Sequence, residues 1–282
     1  MIFLNLGAYS YKDFETNKDT PLKKSELIKI ETENNIYYQK NCWLIDSLKY
    51  QDTEKTYLYS DCDATGSDSY AHIAVWKSYS ELLERWAYHD LIMRGSKDYG
   101  LVFDRTTTGF AALPCWPKYA ARNHALSEAI ERWSLSNWWR GGLAASFLDF
   151  KKYIANVKIV SIDIGCKFGY VFIACGSFNY QNENKYFYGF AHSFSKEQAY
   201  LKSMVEMERN KLVVQNFLES NVLLESISDK RLKYFSTETG HAHFLKKINC
   251  LSMSKIFLPN LLVDSQVPGP WDKYATVWRC LY

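Results

Sequence analysis

Neither common phosphate-binding loop occurs in this 282-residue chain: there is no G-x-x-x-x-G-K-[ST] and no G-x-G-x-x-G. Lys and Arg exceed Asp and Glu by only three, 34 against 31. No run of roughly five or more basic residues exists, so nucleic acid is not an expected partner. No apolar run reaches the ~18 residues that a bilayer span needs, so no membrane association is expected. The start, MIFLNLGAYSYKDFETNKD, lacks a basic n-region and a small-residue cleavage site, which argues against a signal peptide. The seven cysteines (Cys42, Cys62, Cys115, Cys166, Cys175, Cys250, Cys280) form no C-x-x-C pair. Neither a structural zinc site nor a disulfide framework is indicated, and reduced thiols in a cytoplasmic chain are the expectation. With six prolines and no Pro/Gly/Ser-rich linker, the chain reads as one domain over 1–282. Within it a strand-rich part, 1–55, precedes a core, 56–282.

What the chain does have is a recurrent pattern of charge. Lys77-Ser78-Tyr79-Ser80-Glu81-Leu82-Leu83-Glu84-Arg85 contains Glu-x-x-Glu-Arg, and the step returns at Glu128, Glu131 and Arg132. A looser relative is Lys202-x-x-x-Glu206-x-x-Arg209. On a helix, residues three, four or seven apart share a face, so each segment lines carboxylates and cations along one stripe. One such stripe is ordinarily a solvated surface; the repetition is the signal.

Long helices are expected over Tyr70–Met93, from about Lys118 to Trp139, and from about Ser195 to Leu218. In the first, Ala71, Ala74, Val75, Leu82 and Trp86 form the apolar stripe, with Lys77, Ser78, Glu81, Glu84 and Arg85 off it. Asp68 or Ser69 would cap it. Gly141-Gly142 would stop the second, whose Trp133, Trp138 and Trp139 read as core. Strands are expected at Asn35–Tyr38, Thr56–Tyr59, Leu101–Phe103, Val157–Ile164, Tyr170–Cys175, Tyr186–Gly189 and Tyr274–Cys280. His241 and His243 alternate on a strand or loop. Strand, small-residue turn and long helix, repeated, argue for an α+β fold.

Glu81 with Glu84, and Glu128 with Glu131, can face a shared cleft if their helices do. Several carboxylates in one cleft do not stay ionised together without cations between them. Mg²⁺ is the natural neutraliser, since it takes oxygen ligands and bridges to nucleotide phosphates. Arg85, Arg132, Lys202 and Arg209 would then offer donors to phosphate oxygens, giving ATP binding without a P-loop.

These residues resemble the YcaO-domain family, and within it the cyclodehydratase subunits of azole-modified microcin synthetases. The hallmark Ser-x-x-Glu-x-x-Glu-Arg stands here as Ser78, Glu81, Glu84 and Arg85. The second motif matches Glu128 and Glu131 behind Thr108-Gly109-Phe110-Ala111-Ala112. The third matches Gly189-Phe190-Ala191-His192, followed by Lys202 and Glu206. The resemblance implies a YcaO-like sheet with long helices enclosing a carboxylate-lined ATP/Mg²⁺ site. It implies Glu81, Glu84, Glu128, Glu131 and Glu206 as metal ligands, and Ser78, Arg85, Lys202 and Arg209 as ATP-binding residues. It names no catalytic residue. The implied activity is ATP-dependent activation of backbone amides, forming thiazoline or oxazoline from Cys, Ser or Thr of a ribosomal precursor peptide. The implied partners are an E1-like leader-binding subunit and a flavin-dependent dehydrogenase in an oligomeric complex. The same resemblance also admits a non-catalytic scaffold or regulatory subunit, or a thioamide- or amidine-forming enzyme.

Overall fold

The structure is a computed structural model that describes residues 14–15, 19–31, 36–50, 62–114, 118–148, 157–219, 227–249 and 258–282. The expected strand Thr56–Tyr59 lies outside the described residues. The described residues fold as α+β, with ten strands and five α-helices grouped into two compact units. The first unit is Met1–Glu54, Tyr59–Ala129 and Leu261–Tyr282; the second is Lys55–Leu58 and Ile130–Asn260.

In the first unit β1 (Leu22–Glu31), β2 (Ile36–Leu44) and β3 (Ala64–Asp68) form an antiparallel sheet in that order. A second sheet places β10 (Ala275–Leu281) between β4 (Phe110–Pro114) and β9 (Val263–Gln266). Helix α1 (Ala71–Met93) packs on both sheets through Tyr79, Leu82, Leu83 and Trp86, against Leu44, Phe110, Trp271 and Val277. The Trp86 and Trp271 rings meet edge to face at 5.6 Å, a favoured aromatic geometry. The apolar stripe read from sequence was too narrow, since Ser78 and Arg85 are also buried. Tyr70 occupies the N-cap position, and Asp68 Oδ1 accepts its backbone N–H. The first part of α2 (Lys118–Trp139) completes this unit, seating Ala125 and Ala129 against Ala111 and Cys280. Leu101–Phe103 is a turn rather than a strand, with Tyr99 and Gly100 in left-handed backbone and Val102 and Phe103 exposed.

The second unit contains a four-stranded antiparallel sheet in the order β5 (Ala145–Leu148), β6 (Val157–Ile162), β7 (Tyr170–Tyr180), β8 (Glu183–Ser193). Gln181 and Asn182 both have positive φ, the backbone of a two-residue hairpin turn whose twist matches its strands. Helix α3 (Lys196–Glu219) buries Ala199, Tyr200, Met207 and Val214 against Ile159, Phe172 and Phe187. The Ser195 hydroxyl accepts the Gln198 N–H at its start, as its capping pattern predicts. Short helices α4 (Ile227–Phe235) and α5 (Glu238–Ile248) follow, so His241 and His243 lie on a helix instead of a strand or loop. Trp138 is core, against Phe244. No helix among the described residues is long and apolar enough to cross a membrane.

Two glycines set how closely helix and strand approach. A Cβ on Gly66 of β3 would stand 2.0 Å from Ala74 O and 2.4 Å from Ser78 N of α1. A Cβ on Gly189 of β8 would stand 2.1 Å from Met207 N and 2.3 Å from Ser203 O of α3. Backbone cannot yield as a flexible side chain can. Gly189→Ala is therefore expected to cost about 3 kcal/mol or more in denaturant unfolding. Gly141→Ala, with nothing within 4 Å, should cost only its left-handed strain of about 1–2 kcal/mol. Equal losses at the two positions would contradict the close-approach argument. Elsewhere, Asp264 takes a bidentate bond from Arg122 and one from the Trp278 indole N–H. The Arg122 bond, then the indole bond, hold its carboxyl below the usual range despite partial burial. Both partners of the ion pair are partly exposed, so it contributes under about 1 kcal/mol. A depressed carboxyl stabilises above its unfolded pKa of about 3.9 and loses that contribution as pH falls through its folded value. Asp264→Asn should be less stable than the parent at neutral pH in urea titrations, with the gap closing as pH falls toward about 3.

Candidate functional site

Four of the five glutamates singled out as ligands sit against open sheet edges. Strands β3, β4 and β8 are each terminal in their sheets, so alternate backbone N–H groups point away from any paired strand. Helix carboxylates accept those donors. In the first unit, Glu81 Oε2 takes the Thr65 N–H at 2.9 Å and Glu84 Oε1 takes the Ala112 N–H at 2.9 Å. In the second, Glu206 Oε2 takes the Phe190 N–H at 3.1 Å and Glu131 Oε2 takes the His192 N–H at 3.2 Å. A carboxylate offers about four lone-pair positions, so one amide bond does not exhaust it.

The local sequence explains how α1 and α3 reach the edges. Ser78 precedes Glu81 by one helical turn, and Ser203 precedes Glu206 likewise. Both serines are fully buried beside the glycine of the facing strand, where a larger side chain would push the helix away. Ser78 donates to Cys42 Sγ at 3.0 Å, and Ser203 to Tyr200 O at 2.8 Å. The repeat is thus Gly on the strand and Ser-x-x-Glu on the helix. The sequence reading took Lys202, instead of Ser203, as the start of the third motif. Ser78, expected at the nucleotide, supports α1 from within the core.

Electrostatics divide the residues into two groups. In the first unit, Glu84 has its carboxyl raised well above the ordinary value, by desolvation first and then by the charges of Glu128 and Glu81. Arg85 is buried and donates to Glu81 Oε1 at 2.9 Å. Arg279, which sequence reading passed over, is fully buried with its guanidinium 4.5 Å from the Phe110 ring centroid. It donates Nη2 to Asp104 O at 2.8 Å, while among the described residues its Nε and Nη1 have no hydrogen-bond partner. Burial pulls its pKa down to about 10, and the charges of Asp104, Tyr88 and Glu128 oppose that shift. A lone cation within the apolar run of β10 was the available signal.

In the second unit, Glu131 is pushed up to about 7, chiefly by burial and further by Glu206; Arg132, the His192 amide and Lys202 pull the other way. Arg132 Nε lies 3.9 Å from Glu131 Oε1, and its guanidinium sits 5.8 Å from the Phe190 ring centroid. Lys202 is exposed and Arg209 half-buried. His192 is buried with Nε2 2.8 Å from Phe168 O, which fixes the strand end presenting its amide to Glu131. Burial lowers the His192 pKa and favours the neutral ring.

Among the described residues no three His, Cys, Asp or Glu side chains form a ready metal cage. Mg²⁺ does not require one, because it binds through one or two carboxylates and completes its shell with water and phosphate oxygens. Arg85 near Glu84, and Arg132 and Lys202 near Glu131, only partly offset the burial and mutual repulsion that raise these carboxyls, and a hard cation on their oxygens would offset more. The donor set fits Mg²⁺ on both counts.

Comparison with known proteins is consistent with this geometry. Sequence search of curated proteins finds no match. The fold is similar to a chain of the E. coli microcin synthetase McbBCD complex, with TM-score 0.62, 13% identity, and coverage of 91% of this chain and 86% of that one. It is also similar to a heterocyclase in complex with substrate and cofactor, with TM-score 0.64, 12% identity, and coverage of 98% of this chain and 51% of that one. A family model described as YcaO cyclodehydratase, ATP- and Mg²⁺-binding, matches residues 84–245, more than half of the sequence, and the chain belongs to the YcaO family.

Proposed function

We propose that the chain is an ATP- and Mg²⁺-dependent cyclodehydratase that closes Cys, Ser or Thr side chains of a ribosomally made precursor peptide into thiazoline or oxazoline rings. The observation that carries this reading is the set of motif glutamates held on edge-strand amides in a YcaO-family chain. Glu84 with Glu128, supported by Glu81, offers one hard-cation site in the first unit. Glu131 with Glu206 offers another in the second. Lys202 and Arg209 would meet phosphate oxygens, and Arg85 orients Glu81.

When bound, Mg²⁺–ATP supplies the phosphoryl group that makes an amide oxygen a leaving group. The chain's own share is positioning and charge neutralisation, as in other phosphoryl transfers. The edge amides fix the carboxylates on rigid strands, so little reorganisation accompanies cation binding. His192, held by the Phe168 carbonyl, keeps its own backbone N–H in place to donate to Glu131.

The McbBCD synthetase is also known with pro-MccB17 bound, and its chain there is similar to this one with TM-score 0.58 and 13% identity. By that likeness the chain works in a multi-subunit synthetase, in which an E1-like subunit grips the leader peptide and a flavin-dependent dehydrogenase oxidises the azolines.

Calorimetry of Mg²⁺–ATP binding tests the site. Glu84→Gln and Glu131→Gln should each weaken binding about tenfold or more while circular dichroism stays unchanged. Unchanged affinity in both folded variants would end the reading. With precursor peptide, ATP and the partner subunit present, each ring closure should remove one water, about 18 Da by mass spectrometry. Nucleotide binding without any mass loss would instead favour a scaffold subunit.

A further inference from the structure

The chain carries a formal charge of only +3, yet one surface of the second unit is strongly basic. Arg140 follows α2, Lys230, Arg231 and Lys233 stand on α4, and Lys246 and Lys247 stand on α5. All but Lys247 are exposed. The only acids on α4 and α5 are Asp229 and Glu238, each in its helix's first turn.

Contacts between the elements bring these cations onto one face. Tyr234 Oη lies 3.4 Å from His243 Nδ1, which sets the exposed stripe of α4 beside that of α5. Lys230 and Arg231 lie one turn before Tyr234, and Lys246 and Lys247 one turn after His243, so each helix continues its stripe with cations. The Trp139 ring meets His243 at 5.0 Å and Lys247 Nζ at 5.2 Å, which brings the end of α2 and its neighbour Arg140 to the same place. Helix dipoles account for Lys233, Lys246 and Lys247, which stand in last turns. They do not account for Lys230 and Arg231, the fourth and fifth of the nine residues of α4, which stand before its last turn.

We propose that this face, formed by α4, α5 and the end of α2, docks an acidic segment of a partner protein. Charge complementarity selects the occupant, and the arrangement of the aromatic rings selects protein over nucleic acid. Single-stranded nucleic acid is held by open rings on which bases stack. Here the Trp139 ring is already covered by Lys247, His243 and Phe235, which leaves Tyr234 as a single exposed ring among the described Trp, Tyr and Phe of this face and no row of rings for successive bases. The proposal stands independently of the catalytic reading, because none of these residues belongs to the carboxylate groups.

The test is anisotropy of a fluorescein-labelled oligoglutamate with the full chain at about 0.05 M and about 0.5 M NaCl, with labelled oligothymidylate alongside. Oligoglutamate should bind at low salt and be released at high salt. The combined variant Lys230→Glu, Arg231→Glu, Lys233→Glu should weaken binding about tenfold or more. The reversals Lys97→Glu, Arg105→Glu and Lys118→Glu, at exposed cations of the other unit, should leave it unchanged. Should the triple reversal unfold, glutamine at the same three positions replaces it. Absent or salt-insensitive binding, equal loss in both combinations, or tighter binding of oligothymidylate would each overturn the proposal.

Discussion

The arrangement depends on a helix carboxylate accepting the outward N–H of a terminal strand. An unpaired strand edge must be covered, and a buried carboxylate must be compensated. One bond meets both requirements. It forms at β3, β4 and β8, with Glu81, Glu84, Glu131 and Glu206 as acceptors. Hydrogen bonds to charged groups contribute about 1.5–3 kcal/mol, which offsets part of the desolvation but not the repulsion between neighbouring carboxylates. The raised proton affinities of Glu84 and Glu131 express uncompensated burial first, and repulsion from neighbouring carboxylates after it. On the proposed function, a cation would supply the part of that compensation the amide bonds leave unmet.

The same geometry explains why small residues recur in both units. A helix must lie almost on the strand for a side chain as short as glutamate to reach a main-chain amide. Gly66 and Gly189 provide the missing Cβ, and Ser78 and Ser203 fill the seam with hydroxyls that find their own acceptors. The motif therefore combines a packing instruction with a chemical one. Its serine and glycine set the distance, and its glutamate uses it.

Much of this was legible in the chain. The three long helices and the β6–β7 hairpin follow from periodicity and spacing, because solvent and core impose those periods directly, and the same spacing singles out the glutamates that reach the edge amides. Other features rest on tertiary contacts with no local signature. Leu101–Phe103 has strand composition, but left-handed Tyr99 and Gly100 turn the backbone away, leaving Val102 and Phe103 exposed. Arg85 lies off the apolar stripe of α1 by its spacing, yet it is buried against Glu81. Arg279 was passed over because a single cation in a strand reads as a surface residue until the facing Phe110 is known. Helices α4 and α5 span only nine and eleven residues, too few turns for an apolar stripe to repeat, and the alternation of His241 and His243 fits a strand as well as a helix.

The pairing of β4 at 110–114 with β10 at 275–281 sets an order on synthesis. The first unit is interrupted by the second in sequence, so its β4-β10-β9 sheet lacks a central strand until residues 275–281 have left the ribosome. The second unit is nearly continuous from Ile130 to Asn260 and has all four strands of its sheet in hand well before that. The half-made first unit must hold its exposed β4 amides and the Phe110 face in waiting, and such unfinished strand edges are prone to mispairing. A nascent chain of this kind gains from folding its inserted unit first, and from whatever shields β4 until β10 arrives.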